Sequence, residues 1–210
     1  RDLSSLELIS IADCNSLNNL KGLENLNLNI TEYRYERAQN MPESSLTRLE
    51  SLESIEYLPK INSKTLQIRQ TNISNLKGIE SSNHLEQLYI SDSNSLKDIN
   101  SLSEFEKLKK IEISCPDIHD YSVLSELASL ETCFLGDRYS TDNQAKDKID
   151  ILPKKWPENL KFLRLSTSAI SLGDLPKNLE NIQLTNCTKL KSLKELKLCS
   201  KLNEYNQRGF

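Results

Sequence analysis

Apolar residues recur along this chain in a fixed local pattern. Each copy has an apolar residue at position 1, others at positions 4 and 6, a small or polar residue at position 9 and another apolar residue at position 11 or 12. Positions 4 and 6 alternate with polar residues, which predicts a short β-strand with one buried face. The best-matching copies begin at Leu6, Leu85, Leu108, Leu160 and Leu179.

Weaker copies fill the gaps between these. One begins at Ser63, one at Leu130 before an insertion, and an early one at Leu23. In the copy at Leu160, Ile170 takes position 11 and is expected in the core. In the early copy Asn27 takes position 5 and is expected to face outward from its strand.

The residues that follow position 9 have a different spacing. Leu96, Ile99 and Leu102 lie three apart, which predicts a short helix or 3₁₀ turn on the far side of each coil. One coil cannot bury its own apolar face, so stacked coils must share one continuous core. A helical bundle is disfavoured by the strict alternation at Leu88 and Ile90, which is a strand pattern.

This pattern resembles the leucine-rich-repeat family over roughly residues 6–30 and 60–205. Residues 96–130 are similar to the repeats of internalin-like bacterial proteins, and the Leu-Pro motifs within 152–153 and 175–179 look like those of bacterial effectors that enter host cells. The resemblance implies an α/β leucine-rich-repeat solenoid, curved, with a parallel β-sheet on the concave face. Short helices, 3₁₀ turns and loops would form the convex face. It also implies a protein partner bound through the repeat, although these repeats are irregular in length.

The whole chain, residues 1–210, is predicted to form a single domain of about eight irregular repeats. Two stretches, near 31–58 and 136–150, interrupt the period. In the first, residues 31–45 predict a loop, and the three-residue spacing of leucines in 46–58 favours a helix packed on the solenoid over a degenerate convex segment. The second is charged and turn-rich, which predicts a loop. That loop is either a plain surface loop or a neighbour of a binding face.

Composition restricts the function classes. With 37% hydrophobic but only 6% aromatic residues, the core must be aliphatic, and the net charge of -3 gives no nucleic-acid footprint. No apolar run is long enough to span a membrane. The five cysteines match no zinc or redox spacing, so they are expected as free thiols, which favours a reducing compartment such as bacterial or host cytosol. A cell-surface location, a signal peptide ahead of Arg1, the oligomeric state and glycosylation at Asn29, Asn72 and Asn186 stay open.

No catalytic or metal site is predicted. The sequence has no hydrolase, metalloprotease or phosphate-loop motif. Its densest polar cluster holds Cys115 and His119, which would need to converge with an acid, and a solvated turn is the simpler interpretation. Cys14 and Cys187 share position 9 and are expected as small buried residues that fill a turn. We therefore expect no cofactor and no enzymatic activity.

The strand positions that face away from the core predict a binding surface. Aromatic and Arg side chains there are the types that anchor interfaces. The predicted function is a non-enzymatic protein-interaction module of a bacterial protein: a secreted effector, a surface protein or a scaffold. The alternatives are the recognition domain of a larger enzyme whose catalytic part lies elsewhere, and an immunity-type inhibitor of a toxin. The candidate partner-binding residues are Arg69, Tyr89, Glu112, Phe134, Phe162 and Arg164.

Overall fold

The protein is a stack of coils that each contribute one parallel β-strand. The computed structural model describes residues 6–11, 14–31, 44–136 and 149–208. Within these, β1 and β2 form a two-stranded sheet, and β3 to β10 form an eight-stranded sheet in which each strand pairs with the next one along the chain. The strands are β1 (Leu8–Ser10), β2 (Asn29–Thr31), β3 (Ser44–Leu49), β4 (Thr65–Thr71), β5 (Gln87–Ser91), β6 (Lys110–Ser114), β7 (Thr132–Leu135), β8 (Phe162–Ser166), β9 (Asn181–Thr185) and β10 (Glu204–Arg208).

Four return segments of the described residues are 3₁₀ helices. They span Ile79–Ser82, Asn100–Glu104, Ser122–Glu126 and Lys194–Leu198. Leucines three apart suit such turns, because a 3₁₀ helix has three residues per turn and brings every third side chain to the same face. Leu102 is buried on this face of its segment.

The core lies between the sheet and these return segments. Leu88 and Ile90 of β5 are at most 1% exposed, and in register with them Ile111 and Ile113 of β6 are fully buried. The same two strand positions repeat this burial in β4 and in β7 to β9. The predicted fold class, a leucine-rich-repeat solenoid with a parallel sheet, is therefore confirmed.

The helix predicted for residues 46–58 is wrong. Ser44–Leu49 is strand β3, paired with β4, and no helix follows it in residues 50–58. Leucines spaced by three suit a helix face, but they equally suit successive turns of a return segment. Here the backbone N–H of Leu52 donates to the carbonyl of Leu49, and that of Leu58 to Ile55.

Two copies of the repeat differ from the prediction: the early copy and the copy at Leu160. The copy assigned to start at Leu23 starts later, because Ile30 is the residue in register with Ile9; Asn27 therefore precedes its strand. Ile170 is 61% exposed, and Ala169 takes the core position, since the turn in that coil is one residue shorter than in the coil at Leu108.

Cys14 is exposed rather than buried, unlike Cys187 at the same repeat position. It belongs to the first coil, whose apolar residues Leu6, Ile9 and Ile11 are only partly buried because no coil covers them among the described residues. The single-domain boundaries, the repeat number and the two interruptions remain predictions, and most of the two predicted loops lies outside the described residues.

A row of alternating Lys and Glu side chains runs across the sheet at the N-terminal ends of its strands. Glu86 forms ion pairs with Lys64 and Lys109, with 2.6 Å and 2.8 Å between Nζ and the carboxylate oxygen. Lys161 forms an ion pair with Glu131 at 2.7 Å. We call this row the charge ladder. In the order of the coils its members are Lys64, Glu86, Lys109, Glu131, Lys161 and Glu180, joined also by backbone hydrogen bonds from each residue to the one before.

Candidate binding surface on the exposed sheet face

Side chains that point away from the core line up across the sheet. In a parallel sheet with unbroken register, equivalent residues of neighbouring strands stand side by side. Tyr89, Glu112, Phe134 and Arg164 are consecutive partners in β5 to β8, so the structure brings four of the six predicted residues into one row. Each is partly exposed, between buried neighbours.

Arg164, at the β8 end of this row, contacts two of its other members. Its guanidinium carbon lies 4.1 Å from the centre of the Phe134 ring, and its Nη2 lies 3.2 Å from Oε1 of Glu112. It therefore reaches across Phe134 to a carboxylate two strands away. The Arg164 side chain is only 12% exposed, so most of its surface contacts neighbouring side chains rather than solvent.

Lys110 was not among the predicted binding residues, yet it sits between two of them. Its Nζ lies 5.0 Å from the ring centre of Tyr89 and 5.9 Å from that of Phe134, both within cation–π range. Tyr89 is held in place by its hydroxyl, which donates to Oε1 of Gln87 at 2.7 Å. The signal was available in the sequence, because Lys110 has an outward position in the same strand as Glu112.

Phe162 and Arg69 extend this surface in different ways. Phe162 is 41% exposed and lies in the row of Thr132 and Lys110, next to the central row. Arg69 lies apart, on β4, where its Nε pairs with Oδ2 of Asp92 at 2.9 Å. We call the connected group the sheet-face patch; it consists of Tyr89, Lys110, Glu112, Phe134, Phe162 and Arg164.

The alternative catalytic cluster does not have the form of an active site. Cys115 is 2% exposed, whereas a nucleophile must reach its substrate. His119 is about half exposed and its Nδ1 lies 3.3 Å from Oδ2 of Asp150. The hydroxyl of Ser168 donates to the other oxygen of Asp150 at 2.8 Å, and this bond chiefly lowers the carboxyl pKa. A serine bound to the acid rather than to the histidine base is not activated as a nucleophile.

The cysteines are structural side chains. Four of the five cysteines, all except Cys14, are buried. Burial raises the pKa of Cys133, Cys187 and Cys199, which keeps these thiols protonated and unreactive. Cys187 fills the turn after β9, where its Sγ lies 3.3 Å from the carbonyl oxygen of Thr185. Over the described ranges no group of His, Cys, Asp and Glu has the geometry to hold a metal ion.

The likeness of this chain to known proteins is distant. No family model and no curated protein matches the chain. Among solved structures, the chain is similar to an internalin from Listeria monocytogenes, with 16% identity over 99% of this chain and 76% of that chain and a TM-score of 0.47. In the part of the chain that is described, no helix has the length and apolarity that crossing a membrane requires. The fold assignment rests on the strand register and the shared core.

Proposed function

We propose that this chain is a non-catalytic protein-interaction module that binds its partner through the exposed sheet face. The observation that carries the proposal is the sheet-face patch, in which two partly exposed aromatic residues and an Arg, together with the exposed Phe162, cluster on four adjacent strands. Aromatic and Arg side chains are enriched at protein interfaces, and Tyr, Trp and Arg are enriched among the few residues that carry most of the binding energy.

The surroundings of the patch strengthen this interpretation. The neighbouring outward positions carry small or uncharged polar residues, including Gln67, Thr132 and Gln183. A concentration of anchors on an otherwise polar face is the expected arrangement of an interface centre with a polar rim. The strands hold these anchors in fixed positions, which reduces the entropy lost on binding.

The repeat pattern resembles those of bacterial surface proteins and effectors, and it supports a role as a secreted effector, a surface protein or an intracellular scaffold. Burial of Cys115, which keeps its thiol away from a substrate, supports a non-enzymatic role for the described residues.

A site-specific photo-crosslinker tests the proposal. Placed at Phe162, which is 41% exposed on the patch, it should capture a partner, whereas the same group at Ile170, 61% exposed away from the sheet, should not. Phe162→Ala should then weaken binding of the captured partner without lowering the melting temperature. Phe162 is a sharper probe than Phe134 or Arg164, because those two also contact each other. Equal capture from both positions would place the interface elsewhere.

A further inference from the structure

We infer that the partner presents an acidic and an apolar side chain on one surface, and that Lys110 receives the carboxylate while Phe162 receives the apolar group. This inference rests on the proposed function, because it specifies the chemistry that the same surface recognises. It follows from the net charge of the exposed sheet face, which is positive, whereas the net charge of the whole chain is negative.

The exposed sheet face has an excess of positive charge. The outward charged residues on β4 to β9 are Arg69, Lys110, Glu112 and Arg164, and Asp92 follows β5 directly. Both carboxylates are already engaged, Glu112 by Arg164 and Asp92 by Arg69. With both carboxylates paired to arginines, this face has one further positive charge, which favours an anionic group on a partner.

Lys110 differs from Arg69 and Arg164, which are both paired with carboxylates. No carboxylate among the described residues forms an ion pair with Lys110, and its ammonium lies over the Tyr89 and Phe134 rings. Two aromatic rings restrict the ammonium and displace part of its hydration shell. A carboxylate from a partner would complete the coordination of this ammonium with a charge-assisted hydrogen bond.

Phe162 fixes where the apolar group must lie. Lys110, Thr132 and Phe162 are partners in one row of β6, β7 and β8. Two strand spacings separate the first from the last, which is about 10 Å. The partner therefore needs an acidic and an apolar side chain about 10 Å apart on one surface, a distance that a single peptide segment spans.

Nucleic acid fits this surface less well. Binding to a phosphate backbone depends on several Lys or Arg side chains that each neutralise a phosphate. Here two of the three cations already hold carboxylates, and the charge ladder beside the patch is balanced between Lys and Glu. A protein segment with one or two carboxylates matches the charge that is available.

A displayed library of random 12-residue peptides tests the inference without a known partner. The library is selected separately on the wild-type protein, on Lys110→Gln and on the control Lys97→Gln, whose lysine is exposed outside the sheet. Peptides from the wild-type and control selections should be enriched in Asp or Glu together with Leu, Phe or Trp. Their dissociation constants should rise about tenfold with Lys110→Gln, the expected loss of one charge-assisted contact, and stay unchanged with Lys97→Gln.

Other outcomes separate the two levels of the proposal. Peptides that lose affinity with Phe162→Ala but show no acidic enrichment, or no loss with Lys110→Gln, overturn the inference and leave the proposed function standing. Peptides insensitive to both substitutions, or a library that yields no binder, overturn both. A fluorescent single-stranded 20-nucleotide oligonucleotide is the competing probe; its binding at physiological salt, abolished by Lys110→Gln, would replace the acidic peptide by nucleic acid.

Discussion

Gly22 and Gly78 show at the residue scale how one conformation can have different consequences in two coils. Both follow a Leu-Lys pair and have similar backbone angles, φ +101° and +103°, and both N–H groups donate to the Glu carboxylate two residues on. A Cβ on Gly22 would meet nothing within 4 Å, whereas on Gly78 it would lie 2.1 Å from the carbonyl oxygen of Ile55. Only Gly78 is needed for both its backbone angle and its close approach to the preceding coil.

Substituting Ala at these glycines should separate the two effects. Gly22→Ala should cost about 1 kcal/mol, the price of a left-handed conformation for a residue with a Cβ. Gly78→Ala should cost at least about 2 kcal/mol more, because the contact is with backbone and requires two coils to move apart. Urea unfolding of the two variants measures the difference. Equal losses would show that the coil around Ile55 yields easily.

Glu86 connects single-residue chemistry to the pH dependence of stability. Hydrogen bonds from Lys109 and then Lys64 lower its pKa from 4.5 to about 2. The folded state therefore binds the proton less tightly than the unfolded state does. The stability that Glu86 contributes is complete above about pH 4.5 and is lost as the pH falls towards 2.

Replacing this carboxylate should make the free energy of unfolding less dependent on pH in the acid range. Glu86→Gln has no charge to lose, so its urea midpoint should fall less between pH 5 and pH 2 than that of the wild type. Glu106→Gln, at an exposed position in the turn before β6, is the control and should retain the wild-type slope. A parallel fall of all three proteins would contradict the assignment.

At the element scale, the strands were predictable and the turns were not. Alternation at positions 4 and 6 marks a strand with one buried face, and it located β5, β6, β8 and β9 as well as the outward row with Tyr89 and Phe134. Three-residue leucine spacing is shared by helices and by 3₁₀ returns, so it could not distinguish them in residues 46–58. Neighbours across strands, such as Lys110 over Phe134, depend on register between coils, which the local sequence does not contain.

The turns after β4 and β5 rely on buried hydroxyl groups. Thr71 and Ser93 occupy position 9 in adjacent coils, and their hydroxyl oxygens lie 2.9 Å apart in the core. The Ser93 hydroxyl also accepts the backbone N–H of Thr71 at 3.3 Å. A small hydroxyl side chain therefore satisfies the backbone where the chain leaves the sheet.

Removing this hydroxyl should destabilise the stack. Ser93→Ala leaves the N–H of Thr71 and its hydroxyl without this partner in a buried turn, at a cost of about 1–3 kcal/mol. Ser114→Ala, on the exposed sheet face, should change stability by less than about 0.5 kcal/mol. Thermal unfolding of both variants provides the measurement. A wild-type melting temperature for Ser93→Ala would show that another group replaces the hydroxyl.

At the scale of the whole molecule, the charge ladder gives the coils an order. Its signs alternate from Lys64 to Glu180, so every coil boundary within it places opposite charges together. Removal of one coil, residues 85–107, would bring Lys64 beside Lys109. Removal of two coils, residues 85–129, would bring Lys64 beside Glu131 and restore the alternation.

These two deletions should respond to salt in opposite directions. Added salt screens the repulsion between Lys64 and Lys109 in the single deletion and should raise its urea midpoint. In the double deletion it screens an attraction and should lower the midpoint. Each effect is small because the pairs are exposed and screened by solvent. The same response from both proteins would mean that the alternation has no energetic role.

The strand order of the large sheet has a mechanical consequence. Because β3 to β10 pair in chain order, a pull on the two ends loads the coils in series, and no strand is clamped by a distant part of the chain. The terminal coil is released first and exposes the next. Each release lengthens the chain by about 70 Å, from a coil of roughly 22 extended residues. Under tension the stack is therefore expected to unfold and lengthen one coil at a time. A partner bound across β5 to β8 would hold these four coils together and raise the force needed to unfold them.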